Sequence, residues 1–326
     1  MISLVLLQAS QAFSGQAVFS NQGDKIFLIP MEGFGKLIVI DAVSHQSKTV
    51  SLGKTLAEAA VDSIAIAPKG EVLISSLGAL WQWKEGDKDV KNITAYDEGY
   101  IVTDISCTKG NSSAPAGTIF ALGSEQDDPD QTLSALLPGK KRFASVFCRR
   151  NDPFSAPQTD ASGRMFIASN CDLWEGNFSS EADDPEIDRA GTFSGCRIAP
   201  LSLMNTDVGN SGGMVVREIA PCGNLVFAIT HGRHMGAVIQ CNAPAKPLYT
   251  KDSTDEHPDL AKSFEIMKTA LASAKILYDG SPCDGLCAHQ IAPDKHRVFW
   301  RQDLEGDQAW MMIEGAGEPK KIGGEK

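Results

Sequence analysis

Histidines, carboxylates and amides are the side chains with which this sequence could do chemistry, and they gather in a few short stretches. In "HGRH", His231 and His234 are spaced to give a metal two nitrogen ligands or a hydrolytic site its base. "CRRNDPF" offers Asn151 and Asp152, and "TDIS" places Asp104 inside an otherwise apolar run. Glu125, Asp127, Asp128 and Asp130 crowd into one acidic segment whose hard oxygens suit Ca²⁺, although their spacing is not that of an EF-hand loop. The candidate catalytic residues are therefore Asn151, Asp152, His231 and His234, and the candidate metal ligands Asp104, Asn151, Asp127, Asp128 and Asp130. The sequence fixes no cofactor; Ca²⁺ or another divalent metal is the candidate. Each has a plainer reading: the acidic segment as a solvated hairpin tip, and His289 as a packed, hydrogen-bonded histidine.

Familiar nucleophile and phosphate motifs are absent: the chain has no G-x-S-x-G elbow, no phosphate-binding G-x-x-x-x-G-K-[ST] and no H-E-x-x-H. "GNSGG", with Ser211, reads as a flexible connection. The formal net charge of -11 argues against nucleic acid, whose phosphates demand clustered Lys and Arg, and leaves a protein or a small-molecule ligand as partner. No apolar stretch is long enough for a transmembrane helix. Residues 1–12 read equally as a signal peptide or as an edge strand.

Eight cysteines are an even count that fits an oxidising, extracytoplasmic compartment, periplasmic or secreted. A Cys171–Cys196 bridge would staple one insertion, Cys222 and Cys241 are expected at one end of a single sheet, where a bridge between them is geometrically sensible, and Cys283 and Cys287, the third candidate pair, stand close in "CDGLC". The last pair is also a weak zinc candidate, having no second close pair beside it. Cys107 and Cys148 map to opposite ends of one sheet and make a doubtful bridge.

The elements that must position these residues follow from a repeat. "AVFSNQGDKIFLIP" sets a turn between two short apolar runs, and "AIAPKGEVLISS", "PAGTIFALGS", "TDASGRMFIASN", "APCGNLVFAITHG" and "IAPDKHRVFWRQ" do the same. The turn glycines Gly23, Gly70, Gly117, Gly163 and Gly223 lie 47, 47, 46 and 60 residues apart, with Lys295 at the matching place 72 residues further on. A β-type repeat of that length predicts a six-bladed β-propeller of four-stranded blades, forming one domain over residues 13–326. Glycine marks the turn because the tight hairpin needs positive φ. Residues 174–196 read as a polar, acidic surface loop. Residues 257–275 predict one amphipathic helix, with Leu260, Phe264, Met267 and Leu271 as its apolar stripe.

The turn segments resemble the WD40-like repeats of TolB-type β-propellers, whose core reads A-x-F-S-x-D-G-x-x-I-x-F; Asn21, Gln22 and Lys295 depart from it. That resemblance implies a binding or scaffold protein engaging its ligand through the face that carries the acidic loops. "RRNDPFSAPQTDASGRMFIAS" is also similar to gluconolactonase-type propellers, which implies a metal-dependent lactonase with Asn151 facing the substrate. Four extra residues separate Asn151 from Gly163 relative to that pattern, and no acidic ligand is found in the first repeat.

Overall fold

The computed structural model describes residues 16–31, 34–110, 112–126, 130–149, 153–169, 172–180, 189–201, 215–231, 236–246, 260–304 and 307–325. Runs such as "KIFL" and "KLIVID" are apolar at consecutive positions, and this follows from burial of the sheets on both faces. The first sheet is an antiparallel meander of β1 (Ala17–Phe19), β2 (Lys25–Leu28), β3 (Lys36–Asp41) and β4 (Ser47–Ser51). β5 (Ser63–Ile66), β6 (Val72–Ser76), β7 (Ala79–Trp83) and β8 (Lys91–Ala95) form the second in the same order.

Two further meanders are fused. One consists of β9 (Tyr100–Cys107), β10 (Ile119–Glu125), β11 (Thr132–Leu136) and β12 (Ala144–Arg149). The other consists of β13 (Gln158–Thr159), β14 (Met165–Ser169), β15 (Asp172–Ser180) and β16 (Arg189–Pro200). Parallel pairing of β12 with β16 joins them into one eight-stranded sheet, so among the described residues the sheets number five where six separate blades were expected. The fourth sheet holds β17 (Val215–Cys222), β18 (Leu225–His231), β19 (Gly236–Asn242) and β20 (Lys275–Gly280). The last holds β21 (Cys283–Ala292), β22 (Lys295–Leu304), β23 (Asp307–Glu314) and β24 (Lys320–Glu325).

The leading strands β1, β5, β9, β13, β17 and β21 each touch the next, and β21 returns to β1, so the meanders close into a ring around a channel. This is a β-propeller. Its core lies between successive sheets: Phe27, Leu37 and Val39 of the first pack on Ile64, Ile74 and Trp83 of the second.

Two sequence readings need correction. Residues 174–196 were expected as a surface loop, but 172–180 and 189–200 are the long strands β15 and β16. Phe178 and Phe193 are cross-strand partners, both buried, and Phe178 also meets Phe120 edge-on at 5.2 Å. The helix, α1 (Leu260–Ser273), forms where expected, yet Phe264 is 63% exposed. Its buried face uses Ala270 with Ile266 behind it, because only a small side chain allows the helix to lie close over β16 and β19.

Candidate functional site

The wall of the channel is built by carboxylates at β-bulges. Asp104 stands in β9 just after a register shift at Thr103, and Glu218 stands in β17 just after one at Arg217. A bulge turns the next side chain toward a new neighbour. Asp104 Oδ2 accepts a hydrogen bond from the Ala156 amide at 2.7 Å, and Ser63 Oγ lies 3.5 Å from Oδ1 while accepting from the Ile105 amide. Glu218 accepts from the amides of Gly285 at 3.2 Å and Leu286 at 2.6 Å.

Those amides need partners because innermost strands of neighbouring sheets form no ladder with each other, and buried N–H groups are rarely left unpaired. β21 has its own bulge between Asp284 and Cys287, which frees the Gly285 and Leu286 amides that Glu218 takes up. Asp284 is held by Arg301. Burial pushes the Asp104 carboxyl up to about 7 despite its hydrogen bonds. It drives Glu218 well above the usual carboxylate range, helped by the nearby Asp284 charge. Asp62, on the approach to β5, is pushed up to about 6 by burial alone.

Of the sequence candidates, Asp104 is therefore in the channel wall, and its companion there is Glu218, with Asp284 near it on β21; the sequence reading missed both. A signal existed: the innermost segments "VDSIAI", "VTDISC", "VREIAPC" and "CDGLC" each carry one acid at the start of an apolar run. Asp130 is exposed in the β10–β11 connection, away from the channel wall. His231 ends β18, pairing in register with Val215 and Gly236. Asn151, Asp152, His234, Asp127, Asp128 and Ser211 lie outside the described residues. Among the described residues, no three His, Cys, Asp or Glu side chains gather as metal ligands. His289 is packed: its ring lies 5.9 Å from that of Phe19, and a Cβ added to Gly23 would overlap it. Burial lowers its pKa, so the imidazole is neutral.

The cysteine pairings are corrected by strand order, and no disulfide forms among the described residues. Cys241 pairs in register with Val226, which pairs with Pro221 beside Cys222, so a whole strand separates the two thiols. Two strand spacings are about 9.6 Å, beyond the reach of a disulfide. Cys283 and Cys287 lie in one strand, β21, where even a bulged four-residue step exceeds that reach, and they enter different core clusters. Cys196 is buried in β16; Cys171, its expected partner, lies outside the described residues.

No protein-family model matches the chain, and comparison with curated proteins finds no match. Solved structures do match. Regucalcin from Agrobacterium tumefaciens, a calcium-binding protein, is 11% identical, with 89% of this chain and 82% of that chain covered at a TM-score of 0.51. A gluconolactonase from Xanthomonas campestris is 11% identical over 92% of this chain and 98% of that chain, with a TM-score of 0.44. Ycf48 bound to a D1 peptide is 12% identical over 94% and 92%, with a TM-score of 0.43. At these identities the likeness to regucalcin concerns the propeller fold alone, and the other two add no argument.

Proposed function

We propose that this chain is a six-bladed propeller of the TolB-like kind, spanning residues 13–326 as one domain and acting as a non-catalytic binding or scaffold protein. Each half of the eight-stranded sheet is a complete four-stranded meander with its own innermost strand, which supports the count of six.

The observation that carries the binding reading is on the face made by the second-to-third-strand loops and the connections between meanders. Met31, Phe34, Leu77 and Ile101, all on that face, are 49%, 59%, 64% and 55% exposed, among acidic residues such as Asp97, Glu98 and Glu125. Large apolar side chains left in water beside charge mark a protein-contact surface. The channel carboxylates, which a metal-dependent hydrolase would need as ligands, are engaged with backbone amides of the next sheet.

The test is affinity capture with the parent chain and with Phe34→Asp/Leu77→Asp. A protein retained by the parent and lost from the double variant is the expected outcome. A stoichiometric divalent ion that leaves when Asn151 or His231 is replaced, together with lactone hydrolysis, would favour the lactonase reading instead.

A further inference from the structure

The exposed apolar residues of the loop face stand on the first three meanders, and hydrogen bonds between their loops tie them into one arc. The turn that holds Phe34 is fastened to the connection between β4 and β5: the Gly35 amide donates to the Ala59 carbonyl at 2.9 Å, and the Leu52 amide donates to the Gly35 carbonyl at 2.8 Å. The packing there is close, since a Cβ on Gly35 would run into the Leu56 carbonyl. The same connection is fastened to the hairpin of Leu77, where Ser76 Oγ donates to the Ala60 carbonyl at 2.5 Å and the Asp62 amide to the Ser75 carbonyl at 2.8 Å. The Tyr96 amide donates to the Gly78 carbonyl at 2.9 Å and brings the next connection, between β8 and β9, against that hairpin. From there the Gly99 carbonyl accepts from the Gln126 amide at 2.9 Å. The arc is therefore held in shape before a partner arrives, which lowers the ordering cost of binding.

Charge along the arc follows a pattern. The exposed side chains alternate: apolar at Phe34, acidic at Glu58, apolar at Leu77, acidic at Asp97 and Glu98, apolar at Ile101 and acidic at Glu125. Among the described residues, Lys36 and Lys54 are the exposed cations set against these four acids. Asp97 and Glu125 converge on Tyr100, whose hydroxyl is pushed above its ordinary range first by burial and then by both of their charges. A partner that covers the apolar tips also takes these acids out of water, and the cost of doing so is offset only where it brings positive charge to them. A second copy of this chain, with its formal net charge of -11, would set acid against acid. Resting on the proposal that the loop face is the contact surface, we infer that this arc recognises a basic amphipathic segment of a partner protein, one in which Lys or Arg alternates with large apolar side chains. The apolar tips supply the central contact, and the acids between them set the register and the rate of encounter.

Selection of a displayed library of random peptides on the full chain tests this, followed by calorimetric titration with synthetic copies of the enriched sequences. The enriched peptides are expected to combine Lys or Arg with large apolar residues and to bind more weakly as salt is raised. Phe34→Asp/Leu77→Asp and Asp97→Lys/Glu98→Lys should each weaken that binding by about tenfold or more. Asp97 and Glu98 are exposed, so the reversed variant should melt close to the parent temperature; Asp97→Asn/Glu98→Gln serves in its place if it fails to fold. Peptides that are acidic or uncharged, insensitive to salt, and yet lost from Phe34→Asp/Leu77→Asp would overturn this inference and leave the loop face as a contact surface. Binding that neither variant changes, or no enrichment at all, would overturn both.

Discussion

Arg301 and Asp284 face each other across β21 and β22 and share two charge-assisted hydrogen bonds, Nε to Oδ1 at 2.6 Å and Nη2 to Oδ2 at 2.9 Å. Arg301 then reaches beyond its own sheet: Nη1 donates to the carbonyl of Ile29 in the first sheet at 2.9 Å, and Glu325 stands 3.4 Å away. The ring thus closes through side chains, since β1 and β24 belong to different sheets. Arg301→Ala strands Asp284 in the interior and should cost roughly 3–5 kcal/mol. Replacing both partners, as Asp284→Leu/Arg301→Met, should recover much of that loss. Urea unfolding of the four proteins in a double-mutant cycle measures the coupling; strictly additive losses would show that the pair does not act as a unit.

Asp104 makes stability depend on pH in a direction unusual for a carboxylate. The folded chain keeps its proton up to about pH 7, whereas in the unfolded chain the group titrates near 3.8. Protonation therefore favours the folded state: the contribution is complete below about pH 4 and is lost as pH rises through 7. A shift of this size corresponds to about 4 kcal/mol at most. Asp62, raised to about 6 in the folded chain, acts in the same sense. The urea midpoint of the parent should fall between about pH 5 and pH 8. Asp104→Asn, which keeps an acceptor for the Ala156 amide, should flatten much of that slope. Parallel curves for parent and variant would mean that another group carries it.

Gly23 and Gly70 hold the same place in the repeat, with φ of 68° and 91°, yet their surroundings differ. A Cβ on Gly70 meets nothing within 4 Å, so Gly70→Val should cost only the strain of a left-handed backbone, about 1–2 kcal/mol. A Cβ on Gly23 runs into the His289 ring as well. Gly23→Ala should thus be the more damaging, and His289→Ala in the same chain should return part of the loss. Thermal melts of the single and double variants decide this. Equal effects at the two glycines would mean that backbone conformation alone matters.

These glycines also show what the sequence made legible. Gly23, Gly70, Gly117, Gly163 and Gly223 all have positive φ, because one tight turn in each meander imposes one conformational demand that only glycine meets cheaply. In the last meander Pro293 and Asp294 make the turn, so the marker shifts to Lys295 at the start of β22. The channel carboxylates were harder to see. The bulges that aim Asp104 and Glu218 at the next sheet have no fixed residue signature, so a lone acid in an apolar strand gives no hint of the amide it will meet. β15 and β16 were hidden because acidic residues dominate the segment between their buried phenylalanines. The expected Cys222–Cys241 bridge failed because ends that share a face of a sheet can still be a full strand apart.

Leu77 sits with Gly78 in the two-residue turn between β6 and β7, Ser76 pairing with Ala79, and both turn residues have positive φ, 54° and 65°. That is the geometry of a type I′ hairpin turn, in which asparagine is favoured and a leucine is strained. The leucine gains nothing in return from the fold, since its side chain is 64% exposed. Leu77→Asn should therefore stabilise the free protein by about 0.5–1 kcal/mol. If the loop face contacts a protein, the same change should weaken capture of that partner, since strain retained at an exposed apolar tip is the mark of a residue kept for contact. Stability by urea melt and retention by affinity capture would then move in opposite directions. A variant that is more stable and captures the partner as well as the parent would remove Leu77 from the contact surface, leaving Met31, Phe34 and Ile101 to carry it.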